Sequence, residues 1–122
     1  MPKKIIVVED DAMLLKALNV VLLAKGYEVT SATDGIEAEK LIKATVPDCV
    51  LLDIMLPGKT GFEILTELRK DEKTKDVPVI ILSNMGQDED MKKGLALGAQ
   101  DYFVKSNTDI DKVTEKIEKY IQ

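Results

Sequence analysis

The sequence contains no histidine and only one cysteine, and both facts limit the chemistry that its side chains can perform. Cys49 has no second cysteine to pair with, and its position inside an apolar run predicts a buried thiol. A metal site in this chain would have to be built without imidazole, mainly from oxygen ligands. Oxygen ligands favour Mg²⁺ over zinc.

Long apolar runs and basic stretches are also missing. The lysines at positions 3 and 4 precede an apolar run that is too short for a signal peptide, and no stretch is long enough to span a bilayer. The formal charge of -5 comes without a stripe of lysine or arginine, which argues against direct binding of nucleic acid. We therefore expect a soluble cytoplasmic protein with neither a membrane nor a nucleic-acid partner.

The composition that remains is typical of one globular domain. Hydrophobic residues make up 45% and charged residues 32% of 122 positions, with no repeat or linker, so residues 1–122 are predicted to form a single domain. Short apolar runs predict strands at about 4–8, 27–31, 48–53, 79–82 and 102–104. Helices are predicted at about 12–25, between Asp34 and Pro47, and at 61–70, 87–97 and 109–121. This alternation indicates an α/β fold with a parallel sheet covered on both faces.

Polar side chains follow the predicted strands where the strands end: Glu9 and Asp10, Asp53, Ser83, and Lys105. Because the carboxyl ends of parallel strands meet at one edge of a sheet, we expect these side chains to converge in a crevice that binds a ligand. Three carboxylates, a hydroxyl and an ammonium group suit a divalent cation together with a phosphoryl group.

Each of these residues also has an ordinary interpretation. Glu9 and Asp10 could simply begin a helix, Ser83 could be a loop or capping residue, and Lys105 could be a surface lysine. Asp53 is harder to explain in this way, since its charge would repel the acids of the first strand. Two charges ~4 Å apart repel by about 4 kcal/mol at an effective dielectric constant near 20. Such a cluster therefore indicates a bound cation or raised pKa values.

The whole chain resembles the receiver domain of two-component response regulators. The matching segments, in order, are residues 5–11, residues 48–58 leading to Gly61 and Phe62, residues 78–83, and residues 98–105. The resemblance implies a flavodoxin-like doubly wound sheet of five strands in the order 2-1-3-4-5, with five helices. It also implies a stand-alone receiver similar to those of chemotaxis.

The resemblance implies a role for each acidic residue. Asp53 resembles the aspartate that accepts a phosphoryl group. Glu9 and Asp10 resemble the acidic pair that holds Mg²⁺ together with Asp53 and the backbone carbonyl of Met55. Mn²⁺ is an alternative ion, since it prefers the same oxygen ligands.

Three further residues resemble those that bind the phosphoryl group or change conformation when it is present. Lys105 resembles the phosphate-binding lysine, Ser83 the switch hydroxyl, and Tyr102 the aromatic residue that changes rotamer with it. The surface expected to change consists of the fourth helix, the fifth strand and the fifth helix. The family usually has a cis proline after the lysine, whereas this chain has Ser106, so the peptide there is expected to be trans or strained.

Two methionines predict a long-lived phosphorylated form. Met55 and Met85 stand two residues after the phosphorylated aspartate and the switch hydroxyl, the positions that flank the path of the hydrolytic water in receivers. Neither side chain orients a water usefully, and both can shield the acyl phosphate. Alternatively, they only fill the rim of the pocket.

The implied partners are a sensor histidine kinase or a histidine phosphotransfer protein, and an effector protein or domain outside this chain. The chain would be no enzyme beyond catalysing its own phosphorylation and dephosphorylation. One alternative is a receiver-like interaction module that phosphorylation does not regulate, which the full acidic set disfavours. Another is a Mg²⁺-dependent phosphohydrolase, but the second acid that it would need shortly after Asp53 is missing from residues 54–57.

Overall fold

A computed structural model describes residues 2–84 and 87–121. In these residues, strands and helices alternate along the chain: β1 Lys4–Val8, α1 Ala12–Ala24, β2 Glu28–Ala32, α2 Gly35–Thr45, β3 Cys49–Leu52, α3 Gly61–Lys70, β4 Val79–Ser83, α4 Asp88–Ala96, β5 Asp101–Val104 and α5 Ile110–Tyr120. A single 3₁₀ turn, Lys105–Asn107, joins β5 to the last helix.

The five strands form one parallel sheet in the order β2-β1-β3-β4-β5. Val8 pairs with Ala32 on one side and with Leu52 on the other, so the first three strands finish level with one another. The predicted topology is therefore confirmed, and the carboxyl ends of β1 and β3 are direct neighbours.

Side chains of successive residues in each strand point to opposite faces of the sheet and therefore pack into two separate cores. Ile6 and Val8 of β1 pack in the core formed with α2, α3 and α4, whereas Ile5 and Val7 pack in the core formed with α1 and α5. All four are essentially buried. Since burial of one such side chain stabilises the fold by roughly 1.5–3 kcal/mol, strands with apolar residues at every position need a helical layer on both faces.

Most helix boundaries follow from capping residues. The side chains of Asp11, Asp34, Thr60 and Asp109 accept hydrogen bonds from the first-turn amides of their helices. In α4 the corresponding residue, Gln87, makes no such side-chain bond. Of the described helices, α4 is thus the one that begins without a side-chain cap.

Several helices and strands begin or end one residue away from the predicted positions. β2 begins at Glu28 rather than Tyr27, because the Tyr27 amide bonds to the Leu22 carbonyl and completes the end of α1. In α2, the apolar residues Ala38 and Ile42 are fully buried, whereas Leu41 is only half-buried. Among residues 2–84 and 87–121, no helix has the length and apolar character needed to cross a bilayer.

Candidate functional site

The carboxyl edge of the sheet holds a cavity of about 250 Å³. Strand ends and the loops that follow them supply its walls: Asp10, Asp11, Asp53, Met55, Ser83, Asn84 and Lys105. The expected convergence of polar strand ends is therefore present. Asn84 and Asp11 were not predicted as site residues, although both directly follow a polar residue at a strand end.

The two acids after β1 point in different directions. Glu9 is buried at 2% exposure, and its Oε2 accepts a hydrogen bond from the Asp11 amide at 2.9 Å. Asp10 is exposed at the mouth of the cavity. Burial raises the pKa of Glu9 above its ordinary value, although hydrogen bonds from Lys105 and the Asp11 amide oppose that rise. One acid therefore faces inward while its neighbour remains available to solvent.

Asp53 lies at the base of the cavity, at 4% exposure. Its amide donates to the Val8 carbonyl at 3.0 Å, which extends the β1–β3 ladder and holds the backbone in place. Its carboxylate has two different partners: Oδ1 accepts from the Met55 amide at 3.3 Å, and Oδ2 accepts from Lys105 Nζ at 2.9 Å. The role of the Met55 amide was not predicted, because the path of a loop is not readable from residue types.

Lys105 reaches both buried acids at once. Its Nζ lies 2.7 Å from Glu9 Oε1 and 2.9 Å from Asp53 Oδ2. Burial alone would lower the pKa of Lys105, but the hydrogen bonds to Glu9 and Asp53 outweigh it, and the pKa is raised. The Lys105–Ser106 peptide is trans, so the lysine reaches the acids without the cis bond that proline would supply.

The carboxylates fit a hard divalent cation. One oxygen from each of Glu9, Asp10 and Asp53 can be chosen so that all three lie within 4.8 Å of one another. Lys105 contributes one positive charge to this cluster, which leaves an excess of negative charge. An all-oxygen set with an exposed member suits Mg²⁺, which keeps several of its waters when it binds protein.

Ser83 and Tyr102 are linked beside the cavity. Ser83 is fully buried at the end of β4, and its side chain shares a hydrogen bond with the Tyr102 hydroxyl. Burial raises the pKa of Tyr102, against the opposing effect of that hydrogen bond. Tyr102 is 4% exposed and its ring lies beside Gly94 of α4, so the tyrosine already occupies an inward position in this structure.

Met55 of the predicted rim lines the cavity and is 62% exposed. Met85, the other rim residue, lies outside the described residues. The structure therefore brings Glu9, Asp10, Asp53, Ser83 and Lys105 together around one cavity, with Met55 at its edge and Tyr102 behind Ser83.

Comparison with known proteins agrees with this geometry. The family model described as response regulator receiver domain matches residues 5–118. The "DNA-binding dual master transcriptional regulator RpaA" of Synechocystis sp. is 38% identical over 102 residues, which cover 84% of this chain and 42% of that protein. The chain thus spans less than half the length of this relative.

Solved receiver domains have the same fold. The receiver domain of Francisella response regulator 1452 is 31% identical, with a TM-score of 0.90 over 98% of this chain and 96% of that one. The receiver domain of the sensor histidine kinase PA1611 of Pseudomonas aeruginosa is 27% identical, with a TM-score of 0.89 over 99% of this chain and 98% of that one. That structure has a magnesium ion coordinated in its active-site cleft. This chain therefore belongs to the family of response regulator receiver domains.

Proposed function

We propose that residues 1–122 form one receiver domain that is phosphorylated on Asp53. The observation that carries the proposal is the environment of this carboxylate, which is 4% exposed, contacts Lys105 at 2.9 Å and lies among two other acids. A carboxylate held in this way is positioned as a nucleophile and paired with a fixed positive charge. Phosphoryl transfer depends mainly on such positioning and charge neutralisation.

The cofactor in this proposal is Mg²⁺, with Mn²⁺ as an alternative, held by Glu9, Asp10, Asp53 and the Met55 carbonyl. When bound, the cation neutralises the acidic cluster and the oxygens of an incoming phosphoryl group. Lys105 contributes a further positive charge from the carboxyl end of β5, at the same edge of the sheet. The donor set supports this proposal, because its oxygens come from separate strand ends of a rigid sheet.

In the proposed reaction, a carboxylate oxygen of Asp53 attacks the phosphorus of a phosphohistidine on a partner protein. The new P–O bond gives an acyl phosphate, while the P–N bond breaks and its electron pair returns to the imidazole of the donor. A small phosphodonor such as acetyl phosphate would react in the same way, with acetate as the leaving group. This self-modification and its reversal by water are the only reactions that we assign to the chain.

In this proposal, the conformational change that transmits the signal depends on Ser83 and Tyr102. We infer that the Ser83 hydroxyl leaves its hydrogen bond with Tyr102 and donates to the new phosphoryl group. Tyr102 then adopts a different rotamer against α4, and the surface of α4, β5 and α5 changes. An effector protein or domain outside the receiver reads this surface, and a histidine kinase or phosphotransfer protein supplies the phosphoryl group. A cytoplasmic location completes the proposal and is compatible with the free thiol of Cys49.

The decisive experiment is intact-mass spectrometry after incubation with acetyl phosphate and Mg²⁺. We expect the mass of the wild type to rise by one phosphate, and Asp53→Asn to show no increase. Asp48→Asn is a matched control, since Asp48 precedes β3 at the opposite end and should label normally. Labelling of the Asp53 variant would overturn the proposal, and an unlabelled wild type would favour an interaction module without phosphorylation.

A second experiment tests the output surface. Beryllofluoride is a mimic of the acyl phosphate, and on its addition the backbone amide resonances should shift from Ser83 into α4, β5 and α5. Shifts confined to the surroundings of Asp53 would contradict a conformational output through that face.

A further inference from the structure

The loop between β3 and α3, residues 53–60, carries two backbone groups of the proposed cation site. The Met55 amide donates to Asp53 Oδ1 at 3.3 Å, and the Met55 carbonyl is the backbone ligand in the proposed function. The position of this loop therefore controls both the orientation of the Asp53 carboxylate and the fourth ligand. Met55 itself is 62% exposed, so its own side chain does little to anchor the loop.

The start of α2 contacts the backbone of this loop. The Gly35 amide donates to the Pro57 carbonyl at 2.9 Å. A β-carbon at position 35 would lie 2.7 Å from the Lys59 carbonyl carbon and would overlap its oxygen. Only glycine permits so close an approach, so the first residue of α2 and the middle of the loop are packed backbone against backbone.

An ion pair joins the same two elements beside this contact. Lys59 Nζ of the loop lies 2.6 Å from Glu39 Oε1 of α2, and both side chains are partly exposed, at 26% and 19%. The other oxygen of Glu39 lies 3.6 Å from Lys43 Nζ, one helical turn further along α2. Glu39 thus pairs with two lysines, of which only Lys59 belongs to the loop.

We propose that Glu39 and Lys59 are positioning residues for the cation site, because their ion pair holds the loop that orients Met55 and Asp53. The inference rests on the proposed function and assigns part of its Mg²⁺ affinity to a helix that supplies no ligand. Groups that orient metal ligands from outside the ligand set contribute to affinity because they reduce the freedom of the unliganded site.

Two effects of losing Lys59 would change the Mg²⁺ affinity in opposite directions. Removal of a positive charge near an acidic site reduces repulsion of the cation, so a purely electrostatic effect would strengthen Mg²⁺ binding. Release of the loop would weaken it. The direction of the change in affinity therefore identifies which effect dominates.

The experiment compares Lys59→Gln with Lys43→Gln. Each variant removes one positively charged partner of the Glu39 carboxylate. Mg²⁺ is titrated into each full-length protein, and the amide resonances around Asp53 give the dissociation constant. We expect Lys59→Gln to bind Mg²⁺ about fivefold more weakly, the upper range for a partly exposed ion pair. Lys43→Gln should bind as tightly as the wild type, and Lys59→Arg, which keeps the pair, should do the same. Melting temperatures without Mg²⁺ establish that each variant is folded, and a modest decrease in Lys59→Gln is expected because the closer ion pair is lost.

Two results would overturn the inference while leaving the proposed function intact: unchanged or tighter binding by Lys59→Gln, or an equal loss in Lys43→Gln. Absence of Mg²⁺ binding by the wild type would instead overturn the proposed function, and the inference with it. Lower melting of Lys59→Gln together with unchanged Mg²⁺ binding would mean that the ion pair stabilises the fold without positioning the cation site.

Discussion

The ring of Tyr102 lies so close to Gly94 that a β-carbon at position 94 would come within 3.1 Å of Tyr102 Cδ2. The same β-carbon would lie 2.7 Å from Ile81 Cδ1 of β4. Glycine inside a helix is unfavourable by ~1 kcal/mol relative to alanine. Here it allows α4 to pack directly on the buried face of Tyr102, so a locally poor helix residue serves the packing of the residue behind the site.

Substitution of Gly94→Ala should reduce stability. Overpacking of a filled core costs about 1–3 kcal/mol, and the gain in helix propensity offsets about 1 kcal/mol of it. We expect a net loss of roughly 1 kcal/mol in the free energy of unfolding, measured with urea. Ala96→Gly in the exposed last turn of the same helix measures the propensity contribution alone. A Gly94→Ala protein more stable than the wild type would mean that α4 moves aside without strain.

Mg²⁺ should stabilise the native protein, because it reduces repulsion within the cluster of Glu9, Asp10 and Asp53. At a free concentration a hundredfold above the dissociation constant, the gain is ~2.7 kcal/mol. Asp10→Asn should reduce this gain and should raise stability without Mg²⁺, since it removes one like charge. Thermal unfolding with and without Mg²⁺ gives both quantities. Asp34→Asn, which keeps a capping residue on α2, should respond to Mg²⁺ as the wild type does.

Loss of the Lys105 charge should destabilise the protein and increase its response to Mg²⁺. In Lys105→Met, Glu9 and Asp53 lose the cation that lies 2.7 and 2.9 Å from their oxygens. Removal of one partner from a fully buried ion pair costs about 3–5 kcal/mol, and the remaining exposure of the lysine reduces the expected loss to about 2 kcal/mol. Lys116→Met breaks a longer and more exposed pair, 3.8 Å from Asp101, and should change stability little. Equal losses in the two variants would argue against a special role of Lys105.

The thiol of Cys49 should make stability decline at alkaline pH. Burial raises the pKa of Cys49 from 9.0 to about 12, so the folded protein binds more thiol protons than the unfolded chain between these values. Its contribution is fully present below pH 9 and is lost as the pH rises toward about 12. The slope of unfolding free energy against pH above 9 should be shallower in Cys49→Val than in the wild type. In the native wild type, iodoacetamide should alkylate the thiol only as fast as the protein unfolds.

A polar residue at position 55 should accelerate loss of the phosphoryl group. Met55 borders the cavity beside Asp53 and offers no strong hydrogen-bonding group to water. In Met55→Asn, the amide can orient a water toward phosphorus, so the first-order rate of dephosphorylation should rise. Met55→Leu is the apolar control and should keep the rate of the wild type. If all three proteins lose phosphate equally fast, Met55 does not shield the acyl phosphate. Met85→Glu extends the test to the second rim position.

Local sequence patterns were sufficient for the order of the elements and for the chemistry at the strand ends. A run such as Ile5–Val8 is apolar at every position, which only a strand covered on both faces can accommodate. The polar residue that ends each run must then lie at the carboxyl edge of a parallel sheet. The order of the strands came from the resemblance to receiver domains, and with that order Glu9, Asp53 and Lys105 could be assigned to one site at the carboxyl edge of the sheet.

Tertiary structure decided what each of those side chains contacts. The sequence by itself determined that Glu9 and Asp10 would differ in direction, since successive residues of an extended chain alternate. The pairs Glu9–Lys105 and Glu39–Lys59 join residues that are 96 and 20 positions apart. The bond from the Met55 amide to Asp53 is local, but it depends on the path of the loop after β3. Such contacts arise from the packing of whole elements, and periodicity, which describes one element at a time, carries no information about them.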